Sequence, residues 1–198
     1  MLDDSFQETY IPTRKTNFPK KEIEMAEQSN NATFSTVLLL VLKELRLEAG
    51  IHQGHVAAQA GKTPSAWTKI ENGQSPLSAD SMFGACSALS VLPSYVMSLV
   101  ERVVPIFNQH NWYFQTQTLD DGEDDLLRLM SAYFGSEGYD AMKTRPHERV
   151  SIRAVADPFS PASVPTVIRY CTEPLYREWF DNHAVAYVQQ RLSQGKEM

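Results

Sequence analysis

From Ser35 to Glu48 the chain reads STVLLLVLKELRLE, and its apolar positions fall on more than one line. Leu38, Leu42, Leu45 and Ala49 recur at helical spacing and predict a helix over Ser35 to Ala49, stopped by Gly50 as a left-handed C-cap. Val37, Leu40 and Leu47 form a second apolar line on the same helix. A small monomeric domain does not need that line, so it is expected to meet a subunit or the C-terminal region.

Two short helical patterns follow within HQGHVAAQAGKTPSAWTKIENG, residues 52–73. Val56, Ala57 and Ala60 mark one face of the first, which Gly61 ends. Thr63 suits the N-cap of the second and Pro64 its first position, where a missing N–H costs nothing. Trp67 and Ile70 point to a core, leaving Ser65, Thr68, Lys69 and Asn72 on the outer face, and Gly73 ends the helix. A fourth helix is expected over Ser78 to Leu89, with Ser78 as cap, Asp80 in its first turn, and Met82, Phe83, Cys86 and Leu89 facing inward. A fifth runs from Ser94 to about Val104, after the break at Ser90–Pro93.

Beyond residue 105 the pattern changes. Trp112–Thr118, Val150–Ala156 and Val164–Cys171 have strand-like composition, the last two as a loose hairpin punctuated by Pro158, Pro161 and Pro165. Asp124–Phe134 and Pro174–Gln194 read as helices, the latter with Leu175, Trp179, Ala184 and Val188 as core positions. The expected architecture is mainly α: a tail over 1–33, a five-helix domain over 34–104, and a small α+β domain over 105–198.

Charge changes the picture only regionally. The chain of 198 residues carries a formal charge of −6, yet residues 35–104 hold five basic and five acidic side chains. The acidity lies outside them, with thirteen acidic against nine basic residues over 105–198. The basic pairs Arg14–Lys15 and Lys20–Lys21 of the tail are interrupted by acidic residues, which suits a solvated tail better than a phosphate-binding arm. Cys86 and Cys171 are far apart and read as free thiols in a reducing, cytoplasmic setting. The longest apolar run, Val37–Leu42, is too short to span a bilayer, so no membrane partner is expected.

Leu45-Arg46, Ala49-Gly50-Ile51, Gln53, Val56-Ala57, Gly61 and Trp67–Gly73, with Ala88–Val91 beyond, resemble the helix-turn-helix domain of lambdoid phage repressors and Cro proteins, the Xre-like family. The resemblance covers residues 35–104. It implies a lambda-repressor-like fold whose third helix enters the DNA major groove. It assigns Gln53 to a backbone phosphate, Ser65, Thr68 and Lys69 to base edges, and Asn72 to the phosphate-contacting end of that helix. Lys62, Thr63 and Ala66 complete the expected DNA-facing set. The resemblance also pairs Arg46 with Glu71 as scaffold, beside Trp67 and Ile70 in the core.

Several residues depart from that pattern. Pro64 and Ala66 stand where polar base-readers are common, His52 replaces a hydroxyl cap, and Gly54 weakens the second helix by up to about 1 kcal/mol. No catalytic residues, metal ligands or cofactors are expected. His52 and His55 lack further ligands, and Asp120–Asp125 reads as a linker and helix start rather than a calcium loop. The cluster Trp112-Tyr113-Phe114 reads as core more readily than as a pocket or dimer seam. The expectation is a non-enzymatic DNA-binding transcriptional regulator of bacterial or mobile-element origin. It would be a homodimeric repressor on a pseudo-palindromic duplex operator. The alternative is a protein-interaction module, antitoxin-like or inhibitory, working through an acidic partner surface in 105–198.

Overall fold

Thr33 sets the first long helix: its hydroxyl accepts the Thr36 N–H at 3.1 Å while its own backbone is extended. The computed structural model describes residues 29–120, 122–143, 146–155 and 164–194. Its elements run β1 (Asn30–Thr33), α1 (Phe34–Glu48), α2 (Gln53–Gln59), α3 (Pro64–Glu71), α4 (Ala79–Ala88), α5 (Pro93–Asn108) and β2 (Trp112–Gln115). Then come α6 (Asp125–Phe134), α7 (Glu137–Lys143), 3-10 turns at Pro146–Glu148 and Ile152–Ala154, α8 (Thr166–Thr172) and α9 (Pro174–Gln194). Among the described residues the fold is mainly helical with one two-stranded sheet.

The two apolar lines of α1 explain its place at the centre. Leu42 and Leu45 are buried as expected, and so are Val37, Leu39, Leu40 and Val41. The helix packs on α5, on α6 and on the Ile152–Ala154 turn, so it meets the C-terminal part of its own chain. Leu38 is only half-buried, and Ala49, the C-cap before Gly50 at φ +66°, is exposed.

Residues 1–28, with the basic pairs of the expected tail, lie outside the described residues. The last four residues assigned to that tail are β1, which runs parallel to β2 with Asn30 opposite Trp112 and Thr33 opposite Gln115. The Asn30 N–H donates to the Asn111 carbonyl at 3.1 Å, which turns Asn30 and Ala32 toward β2 and Asn31 and Thr33 away. Those two outward N–H groups donate to carboxylates: Asn31 to Asp125 at 3.0 Å and Thr33 to Asp124 at 3.2 Å. Asp124 also caps α6, accepting the Leu127 N–H at 2.9 Å. Asp124 and Asp125 therefore start a helix, as expected, and clasp the strand as well.

Four expectations need correction. Phe83 is exposed, because α4 meets α2 so closely at Gly84 that its buried face carries small residues, among them Ser81, Ala85 and Ala88. Helix α5 continues past Val104 to Asn108: Pro105 frees only the carbonyl of exposed Glu101, while Ile106 and Phe107 are buried. The segments Val150–Ala156 and Val164–Cys171 form no strands among the described residues. Within the first, Ile152–Ala154 is a 3-10 turn, while Ala156, Pro158 and Pro161 lie outside the described residues; the second is α8, buried on nearly every side. An apolar run buried all round shows no period, so composition alone could not separate helix from strand. The segments do meet, through Thr166 N–H to Val150 O at 3.1 Å and Val150 N–H to Thr166 Oγ1 at 2.8 Å. Finally, Leu175 is 78% exposed; α9 turns Phe180, Ala184 and Val188 inward and leaves Trp179 half-buried. Cys86 and Cys171 are buried free thiols, and no single described helix is long and apolar enough to cross a membrane.

Candidate nucleic-acid interface

The interface is built from two short helices with separate caps. His52 Nδ1 accepts the Gly54 N–H at 3.1 Å and starts α2, so the histidine takes the role of a hydroxyl cap. Ala60 closes α2 and Gly61, at φ +63°, reverses the chain. The Thr63 hydroxyl then accepts the Ala66 N–H at 3.1 Å, and Pro64 opens α3. Trp67 and Ile70 anchor α3 in the core, as their spacing predicts. Gly73, at φ +71°, ends it.

A buried ion pair fixes the far end of α3. Arg46 Nε lies 2.6 Å from Glu71 Oε1 and Arg46 Nη2 lies 2.9 Å from Oε2, with both side chains nearly free of solvent. Arg46 Nη1 donates to the Ile51 carbonyl at 2.9 Å, and Gln53 Nε2 donates to Glu71 Oε2. Both carboxylate oxygens are thus satisfied, and α1, α2 and α3 are tied through one carboxylate. Arg46 and Glu71 hold each other, so neither charge is spent on the outer face.

The expected DNA-facing residues divide into two groups. Lys62, Thr63, Ser65 and Lys69 are exposed, with Ser65 and Lys69 one turn apart on α3. Gln53, Ala66, Thr68 and Asn72 are half-buried. Thr68 Oγ1 donates to the Pro64 carbonyl at 2.9 Å and lies 3.4 Å from Gln53 Oε1. The Gln53 amide therefore spans from Glu71 to Thr68 across the angle between α2 and α3.

Lys43 was missed by sequence reasoning. Its Nζ donates to Asn72 Oδ1 at 3.4 Å and sits 4.5 Å from the Phe134 ring centre. Burial lowers its pKa, with Arg46 adding to that effect and Glu71 and Glu44 opposing it. Lys43 links the end of α3 to α6, and no local spacing could reveal a contact across 29 residues. Among the described residues there is no group of three or more side chains suited to a metal ion.

Residues 38–93 match a family described as a helix-turn-helix domain. Neither a curated protein nor a solved structure matches the chain significantly. The two capped helices α2 and α3, with a polar face turned outward, lie within those residues. The chain carries a helix-turn-helix domain of the Xre and lambda-repressor-like class over residues 38–93, which points to DNA binding and transcription regulation.

Proposed function

We propose that this protein is a sequence-specific transcriptional repressor that binds a pseudo-palindromic operator as a homodimer, with half-sites about one helical turn apart. The carrying observation is α3 itself: Ser65 and Lys69 are exposed on a helix whose opposite side is anchored by Trp67, Ile70 and the Arg46–Glu71 pair. Lys69 is suited to guanine O6 or N7, and Ser65, whose hydroxyl both donates and accepts, to base-edge donors or acceptors. Lys62 and Thr63, at the entrance of α3, and Gln53, Ala66, Thr68 and Asn72 around it complete the contact surface. Repression follows from occupancy of the operator. Residues 105–198 supply dimerisation or receive a regulatory partner.

A second reading, a module that binds another protein through its acidic C-terminal half, is favoured by two observations. Gln53 and Thr68 spend their polar groups on α2 and α3, and the charge of 35–104 is balanced. Selection of random duplex DNA by the purified full chain, repeated at two salt concentrations, separates the readings. A two-fold motif whose affinity falls with salt supports the operator reading. No enrichment by the folded protein sinks it.

A further inference from the structure

Among the described residues, the sheet has one edge whose backbone groups are not taken up. Because Asn30 bonds to Asn111 and the strands are parallel, Trp112 and Phe114 hold their N–H and C=O groups away from β1. No described residue bonds to them. Natural edge strands are blunted by charges, prolines or bulges. From Asn111 to Thr118 this segment has no Asp, Glu, Lys, Arg or Pro. Beside the edge lies an open groove lined by Phe34, Val104, Asn108, Trp112, Tyr113 and Phe114. Tyr113 is 60% and Phe34 43% exposed there.

We propose that β2 is the seam of the homodimer, pairing antiparallel with β2 of a second copy about a two-fold axis at Tyr113. The strand is complementary to itself in this register. Trp112 of each copy exchanges backbone bonds with Phe114 of the other, so four outward N–H groups meet four outward carbonyls and none is left over. Each half-buried Phe114 is laid over the groove beside the opposite Trp112. The strand carries both the side chain that fills a groove and the groove it fills, which is what a two-fold interface demands. Being uncharged, two copies of the edge meet without like-charge repulsion. Phe34 and Arg46 are about 18 Å apart along α1, so the seam lies well away from the ion pair that holds α3. This proposal rests on the homodimer reading above and gives it an interface.

The test uses the full chain with Tyr113→Cys under mild oxidation. In this register the two substituted positions face each other with Cα atoms about 4.5 Å apart, within disulfide reach. A covalent dimer is expected. Gln115→Cys should not link, because its two copies lie about 13 Å apart along the strands. In sedimentation equilibrium the unsubstituted chain should be a dimer, and Tyr113→Lys should raise its dissociation constant about tenfold or more. A monomer at high micromolar concentration overturns the seam. So does a dimer that Tyr113→Lys leaves intact and Tyr113→Cys does not link, although the operator reading then stands. Efficient cross-linking at position 115 instead of 113 overturns this register. An intact, cross-linkable dimer that selects no DNA sequence supports the seam and removes the operator reading.

Discussion

Glu44 Oε1 lies 3.5 Å from Arg149 Nη1 between α1 and the C-terminal part of the chain, and neither atom makes a hydrogen bond. Glu44 is fully buried, and its other oxygen and the nearby Tyr133 hydroxyl are also without partners. Burial pushes the Glu44 carboxyl up to about 7, with Glu48 adding to the rise and Arg149 and Lys43 opposing it. The folded chain therefore holds a proton that the unfolded chain releases near the ordinary glutamate value. The stability this group contributes is present in acid and lost as pH rises through about 7. Unfolding free energy from urea denaturation should fall between pH 5.5 and 8, by about 2 kcal/mol from this source. Glu44→Gln should flatten that dependence; an unchanged slope would show that Glu44 is not its origin.

Removing Arg46 leaves Glu71 buried with the Gln53 amide as its one hydrogen-bond donor among the described residues. Arg46→Ala should lower unfolding free energy by about 3–5 kcal/mol, measured by urea denaturation. A loss below about 1 kcal/mol would mean that the pair contributes little to holding the helices together.

Substitutions on the outer face should divide by role. Lys69→Ala should weaken specific DNA binding by roughly 1–3 kcal/mol and relax preference at one base position. Gln53→Ala should weaken binding more evenly across sequences, with some loss of stability because Glu71 loses a donor. Competition binding against an operator and its single-base variants distinguishes the two patterns.

Close packing of α4 on α2 makes Gly84 intolerant of a side chain. A Cβ there would sit 2.4 Å from the Ala60 Cα and 2.7 Å from the Gln59 carbonyl, both backbone atoms. Gly84→Ala should cost about 1–3 kcal/mol and lower the melting temperature. Exposed Phe83, next to it, should tolerate serine within about 0.5 kcal/mol. Equal effects at the two positions would contradict the packing described for α4.

The helix-turn-helix was legible because its signals are local. Thr63 and Pro64 start α3, Trp67 and Ile70 anchor it, and Gly73 ends it, all within eleven residues. The Arg46–Glu71 pair became visible through the family resemblance and is formed. What stayed hidden depends on distant neighbours. Phe83 is outward only because Gly84 lets α4 approach α2, and Thr166–Thr172 is helical because helices surround it. Lys43 meets Asn72, and Glu48 takes the Ile152 N–H at 2.7 Å, across separations that no pattern of spacing encodes.

The two carboxylates that grip β1 also govern how large an assembly this sheet permits. With Asn31 and Thr33 bound to Asp125 and Asp124, β1 has no donors to offer a further strand. Any strand that arrives can add only at β2, and once it has done so growth on that side ends with it. In the pairing proposed for β2, association through this sheet would therefore close on itself as a pair, with no described strand edge left to extend it.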